Sequence, residues 1–164
     1  MKKDITLTLT SLVHGKNQLH YTIPANDLGI NKELKILNNA EVDLSVLKSG
    51  DKLLIDGMVN FRAEIVCSNC AETFTKNYSE PIHAEYIKNT PKLGRSVLLT
   101  HDEVDRSYFH GETLDLLPLI HDTILLAIPL APTCREECKG ICTECGVNLN
   151  LEQCQCEKTA DMTR

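Results

Sequence analysis

Apolar and polar residues alternate along most of the first 87 positions, the two-residue period of strands with one face buried. "ITLTLTSLV" alternates, "HGKN" reads as a turn, and "QLHYTIP" runs extended towards Pro24. "AEVDLSVL", a turn at "SGD" and the long run "KLLIDGMVNFRAEIV" predict an antiparallel pair, and "ETFTKNYSEPIHAEYI" predicts a further strand. Gly57 within the long run predicts a bulge or a sharp bend. Pro81 predicts an edge or an irregularity, because proline brings no N–H to a ladder. This arrangement puts Cys67 and Cys70 at the tip of a hairpin joining two long strands.

After residue 88 the pattern changes. Positions 88–112 form a polar connection with room for a short strand at 97–100. A helix is expected over about 116–128. Asp115 can cap its start, Pro118 falls in the tolerated first turn, and Pro129 stops it. Its sides are apolar nearly all round, apart from His121, Asp122 and Thr123, so it should pack into the sheet. The fold class expected is α+β: mainly antiparallel β sheet or barrel-like, with one packed helix and a C-terminal zinc-binding tail. Residues 1–133 make the β-rich core, 134–156 a cysteine-rich tail stapled to the 67–70 hairpin, and 157–164 a frayed end.

Composition narrows the function. The formal net charge is −6, and residues 101–133 hold six acidic groups against one basic. A generic phosphate-gripping surface needs a basic stripe, which this chain lacks. Lys32, Lys35, Lys48, Lys52 and Arg62 are interspersed with acids and read as a mixed solvated face. Aromatic residues make up 4% with no tryptophan, which weakens any model built on base-stacking platforms. The alternating N-terminus reads as a strand rather than a signal peptide. "LDLLPLIHDTILLAIPLAP" is broken by His121, Asp122 and prolines, so it does not read as a membrane span. A cytoplasmic location is expected, where thiols stay reduced and paired cysteines read as metal or redox sites.

The chemistry lies in eight cysteines, in the pairs Cys67-x2-Cys70, Cys134-x3-Cys138, Cys142-x2-Cys145 and Cys154-x-Cys156. A structural zinc ion takes four soft ligands in a tetrahedron, usually offered as short chelating pairs. Gly146 after Cys145, and Gly140 between pairs, suit a chain that turns over a metal at positive φ. Eight thiolates make two four-cysteine sites, with two Zn²⁺ expected. Closure of the shortest loops favours Cys67, Cys70, Cys134 and Cys138 as one site and Cys142, Cys145, Cys154 and Cys156 as the other. The alternative joins Cys67 and Cys70 to Cys142 and Cys145. Disulfides would need an oxidising compartment that nothing else suggests. A thioredoxin-like pair would need a βαβ setting, and ferredoxin spacings do not match.

Nothing points to an enzyme. An all-thiolate site leaves no position for a reacting water, and no P-loop, GxGxxG or GxSxG is present. His101-Asp102 and His121-Asp122 are the pairs that HD phosphohydrolases use as metal ligands, but the further histidines of a helical scaffold are missing. The first pair reads as a solvated loop and the second as the polar strip of the helix.

A CxxC after a long strand, then "LDLLPLIHDTILLAIPLAPTC", then "CKGICTECGVNLNLEQCQC" resembles the YceD family of bacterial and plastid proteins, from about residue 40 to 156. The resemblance implies a role in accumulation of large-subunit (23S) ribosomal RNA, during assembly of the large ribosomal subunit, with no chemical activity. It also implies a scaffolding metal, since some members keep the first CxxC and lose much of the tail. The partner implied is the large-subunit precursor, through 23S rRNA or a ribosomal protein, with no membrane and no small-molecule substrate. Arg135 and Lys139 are the candidate contacts to RNA or partner. The other reading is a zinc-organised adaptor that binds a ribosomal protein or processing enzyme without RNA contact, using an acidic face around 101–115.

Overall fold

The computed structural model describes residues 5–30, 34–88 and 106–156. Its frame is an open six-stranded sheet. Strand β2 (Gly15–Ile23) pairs with β4 (Ala40–Ser49), β4 with β5 (Lys52–Val66), and β5 with β6 (Thr73–Lys88), all antiparallel. The short β3 (Lys35–Ile36) joins β5 at Glu64 and Ala63, and β7 (Arg106–Phe109) runs parallel to the end of β6. β2 and β7 are the two ends of the order and do not pair, so among the described residues the sheet is open and no barrel closes. The expected strand at 97–100, His101 and Asp102, the rest of the acidic segment up to residue 105, Lys32 and the tail end 157–164 lie outside the described residues.

Alternation does what its period requires. Val42, Leu44 and Val46 of β4 share the inner face with Leu53, Ile55, Val59, Phe61, Ala63 and Ile65 of β5, all buried. A second layer covers this face. It consists of a two-stranded ribbon, β1 (Thr6–Thr8) with β8 (Thr113–Asp115), followed by the helix α1 (Leu117–Ala127). Ile5, Leu7, Leu114, Leu116, Ile120 and Ile124 from this layer join the same buried cluster as the sheet.

The N-terminal run departs from the sequence expectation. "ITLTLTSLV" is not one strand: after Thr8 the chain enters a 3-10 turn over Leu9–Ser11, and β2 begins within the expected turn, at Gly15. Leu9 and Leu12 are both buried, so the period of burial lengthens from two to three at that point. Asn17 stabilises the corner by accepting from the Val13 N–H at 2.9 Å and donating to the Val13 carbonyl at 2.9 Å.

Gly57 is not a bulge. The register runs unbroken through Leu44↔Gly57 and Gly57↔Ile82, and inward-facing positions keep their alternation on both sides. The glycine instead permits a close approach: a Cβ there would lie 2.2 Å from the Asp43 carbonyl oxygen and 2.7 Å from a Leu44 methyl. Pro81 sits where β6 has no strand on its outer side among the described residues, since β7 pairs only with Glu85 to Lys88. A missing N–H is tolerated at such a place.

The helix starts one residue later than expected and ends one earlier. Leu116 holds the capping position, while the Asp115 carboxylate accepts from the Leu117 N–H at 2.9 Å. Removing this acceptor by Asp115→Ala should cost about 1 kcal/mol, read from the denaturant midpoint. The helix packs onto the sheet as expected, but along one stripe only. Ile120 and Ile124 are buried, but Leu126 is 85% exposed. In a two-layer fold only one stripe of a covering helix meets the sheet, and nothing lies on its far side among the described residues.

The outer face of the sheet is polar. His20 there donates or accepts through Nδ1 with Asp43 at 2.7 Å, and its Nε2 lies 3.2 Å from Glu41. The Asp43 hydrogen bond, with the charges of both carboxylates, holds the imidazole pKa above 6.5 against a smaller opposing effect of burial. Because the folded value is raised, this contact stabilises the fold fully below the unfolded pKa and loses its effect as pH rises through the folded one. NMR titration should place the His20 midpoint above that of the same residue in Asp43→Asn.

Candidate metal centres

The β5–β6 hairpin delivers the first pair of thiols. β5 ends at Val66 and β6 begins at Thr73, leaving Cys67 and Cys70 in the connecting turn. The Cys67 N–H donates to the Glu72 carbonyl and the Ala71 N–H to the Cys67 carbonyl, both at 2.9 Å. Ala71 takes a positive φ of 58°, unusual for a residue with a side chain, and so closes the turn beneath the sulfurs. Both cysteines are buried.

The tail reaches this turn along two backbone bonds. The Ser68 N–H donates to the Pro132 carbonyl at 2.8 Å, and the Ile141 N–H donates to the Asn69 carbonyl at 3.1 Å. Gly140 passes over Asn69 so closely that a Cβ would sit 3.0 Å from its carbonyl oxygen, at a φ of +73°. Glycine is required there on both counts. Between these contacts the chain presents Cys134 and Cys138.

The eight thiols fall into two groups: Cys67, Cys70, Cys134 and Cys138, and Cys142, Cys145, Cys154 and Cys156. Within each, all sulfurs lie within 4.8 Å of one another. This is the grouping favoured by loop closure, and Cys67 and Cys70 do not meet Cys142 and Cys145. In the first group Cys67 and Cys138 sulfurs are 3.8 Å apart, as are those of Cys70 and Cys134. Zn–S bonds of about 2.3 Å at tetrahedral angles put sulfurs about 3.8 Å apart, so this group has the dimensions of a zinc site. The spacing is far beyond a disulfide bond of about 2.05 Å. The second group is tighter, with Cys154 at 3.2 Å from Cys142 and 3.6 Å from Cys145. It is also more open to solvent, Cys145 being exposed.

The electrostatics call for a cation. Burial opposes ionisation of Cys67, but the N–H groups of Cys70, Cys134 and Asn69 outweigh it and bring the thiol down to about 6. Cys134 is pushed up to about 12, by burial and by the thiols of Cys138, Cys67 and Cys70. In the second group the Cys145 N–H, the Cys154 thiol and the Glu144 N–H bring Cys142 down to about 6, while Cys154 and Cys145 push Cys156 up to about 12. In the first group burial opposes ionisation of Cys138 too, but the Gly140 N–H and the Asn150 amide outweigh it, whereas burial and neighbouring thiols together raise Cys134 in that group and Cys154 and Cys156 in the other. A dication removes that opposition, which is how metal binding releases protons from such a set. The donor set fits zinc in both groups, and the sulfur spacing of the first group fits it as well.

The "GVNLNLEQ" loop between Cys145 and Cys154 completes the tail. The Cys142 N–H donates to Val147 and the Gly146 N–H to Cys142, both at 2.8 Å, with Gly146 at a φ of +73°. Ile141 bridges Asn148, and the Leu149 N–H returns to Gly140 at 2.9 Å. Asn150 stands at the centre. Its Oδ1 accepts from the Lys139 N–H at 2.9 Å and the Arg135 guanidinium at 2.7 Å, and its Nδ2 donates to the Cys138 sulfur at 3.4 Å. Neither Asn150 nor Asn148, which accepts from Asn150 at 2.9 Å, was among the residues picked out from the sequence. The signal available was two asparagines, alternating with leucine, inside a short loop between chelating pairs.

Arg135 and Lys139 are both exposed on the clasp, beside exposed Glu136 and Glu137. Arg135 is held by Asn150 rather than by a carboxylate. His121 and Asp122 contact each other at 3.1 Å on the helix and join no metal-binding group among the described residues. Phe61 and Tyr78 stack with centroids 5.1 Å apart, but both are buried and offer no surface to a base. No helix of the described residues is long and apolar enough to cross a membrane.

An open sheet whose longest hairpin is met by a tail carrying two four-cysteine clusters defines a small β protein with two groups of thiols placed so that they could hold metal ions. The chain belongs to the family described as large ribosomal RNA subunit accumulation protein YceD, which it matches over residues 55–163, the span that holds all eight cysteines. It is 25% identical over 138 residues to the chloroplastic large ribosomal RNA subunit accumulation protein YCED homolog 1 of Arabidopsis thaliana, covering 71% of this chain and 43% of that protein. The homologue of the same name in Zea mays is 27% identical over 140 residues, covering 71% and 48%. An uncharacterized protein of Mycobacterium tuberculosis (strain ATCC 25618 / H37Rv) is 29% identical over 112 residues, covering 68% and 52%. The chain thus spans about half the length of the curated relatives it matches. No solved structure matches it.

Proposed function

We propose that this chain is a non-enzymatic, zinc-binding factor that supports 23S rRNA accumulation and assembly of the large ribosomal subunit in the cytoplasm. The observation that carries the reading is the family match, which spans both halves of the clasp, from the hairpin thiols to the last pair. Two Zn²⁺ ions would be held by the two groups of thiolates. Four thiolates around each ion supply structural closure and leave no coordination position for a reacting water, which supports a scaffolding role.

The working surface is the clasped end of the hairpin, where Arg135 and Lys139 are exposed, and the partner is the large-subunit precursor. Depleting the protein from cells and resolving ribosomes on gradients tests this. Fewer large subunits and less 23S rRNA are expected, and unchanged levels of both would contradict the role.

A second reading, an adaptor that touches a ribosomal protein or processing enzyme and no RNA, is favoured by charge. The net charge is −6 and acidic residues flank Arg135, which steers the chain away from bare RNA. Titration against large-subunit RNA fragments at low and high salt separates the two. Binding that weakens with salt supports RNA contact by Arg135 and Lys139, and no binding at low salt supports the adaptor.

A further inference from the structure

We infer that the two thiolate clusters bind metal as a coupled pair, and that Asn150 is the positioning residue that couples them. The inference rests on the reading of both clusters as metal sites. The loop carrying Asn150 is tied at both ends by ligands of the second cluster, Cys145 before it and Cys154 after it. Its only side-chain bond to a sulfur is made to the first cluster, from Nδ2 to Cys138 at 3.4 Å. Its Oδ1 also fixes the backbone on which Cys138 is carried, through the Lys139 N–H at 2.9 Å. Asn148 holds Asn150 in place, accepting from its backbone N–H at 3.0 Å and from Nδ2 at 2.9 Å. Closing the second cluster therefore sets the donor that stabilises a thiolate of the first.

The coupling runs both ways, because linkage between two sites is reciprocal. Filling the first cluster orients Cys138 and Lys139, which hold Asn150 and so pre-form the loop that joins Cys145 to Cys154. The first cluster is anchored to the sheet through the buried Cys67 and Cys70, while the second, with Cys145 exposed, lies wholly within the tail. The tail thus assembles as one unit on the hairpin, not as a clasp with an independent knuckle beyond it.

The test is a titration of the reduced, metal-free full chain with Co²⁺ and then Zn²⁺. Thiolate-to-cobalt absorption reports total binding. The Ser68 and Ile141 amide signals report the first cluster, and the Gly146 amide signal reports the second. In the wild type both sets of signals should reach their bound positions together. In Asn150→Ala they should separate, with affinity at the first cluster falling about 10- to 100-fold, the usual effect of losing an outer-shell partner. Asn150→Asp keeps an acceptor for Lys139 and Arg135 but cannot donate to the Cys138 thiolate. It should preserve the amide pattern of the loop and still lose affinity at the first cluster, which a purely structural role for Asn150 would not produce.

Cys154→Ser, which opens the second cluster, should likewise weaken the first by about 10-fold or more. The same first-cluster affinity in all four proteins, with two metal ions bound to the wild type, would overturn the coupling and leave the metal sites standing. A wild type that binds no metal would overturn both.

Discussion

Cys67→Ser is expected to release the tail from the hairpin, so that trypsin cuts at Arg135 and Lys139 while the sheet stays intact. Cys67 is 1% exposed, and its sulfur lies 3.8 Å from Cys138 and accepts from the Cys134 N–H at 3.4 Å. Hydroxyl in place of thiol removes one of four ligands. A structural thiolate zinc contributes on the order of 10–16 kcal/mol. The two backbone bonds that otherwise join tail and hairpin, Ser68 to Pro132 and Ile141 to Asn69, contribute about 1 kcal/mol each. The metal therefore decides whether the tail is attached. Cys134→Ser should act in the same way, whereas Cys145→Ser with zinc in excess should leave the Ser68 amide protected from exchange. Loss of that protection in Cys145→Ser but not in Cys134→Ser would contradict the partition of the thiols.

Gly57→Ala is expected to destabilise the sheet by about 3 kcal/mol, read as a lowered denaturant midpoint with unchanged slope. The new methyl group would meet the Asp43 carbonyl oxygen at 2.2 Å, and that atom belongs to a strand paired on both sides. A flexible side chain could move aside, but β4 cannot move without breaking its ladder to β2 or β5. Conformational preference alone would favour alanine over glycine within a strand, so a neutral or stabilising result would show that β4 and β5 are not so close. The effect should not change with zinc, because residue 57 lies mid-strand, far along β5 from the Cys67 turn. That separates damage to the sheet from damage to the clasp.

These two sites differ in how far the sequence revealed them. The thiol grouping was the one that spacing favoured: four short chelating pairs can close two tetrahedra in three ways, and loop closure ranks this way ahead of joining Cys67 and Cys70 to Cys142 and Cys145. The β4–β5 hairpin was equally legible, because strict alternation on both sides of "SGD" leaves one register that buries Val42, Leu44 and Val46 with Leu53 and Ile55. Gly57 announced a backbone constraint but not its kind. A bulge and a close approach both call for glycine, and only the neighbouring strand decides between them.

The N-terminus misled for a different reason. "ITLTLTSLV" carries a strand period along its whole length, yet β1 keeps three residues of it and pairs with β8, more than a hundred positions away. Local pattern cannot report a partner that distant. Asn150 was hidden because polar residues in a tight loop are expected on turn chemistry alone, and nothing local marks the one aimed at a sulfur in another cluster. The exposed Leu126 belongs with these: an apolar position reads as buried until the number of layers is known.

The most direct test of the account is the metal content of the purified, reduced full chain. Two zinc ions per chain are predicted, with eight thiols that resist alkylation until a chelator is added, and no absorption in the visible range. Visible iron–sulfur absorption, or eight freely reactive thiols with no bound metal, would contradict it.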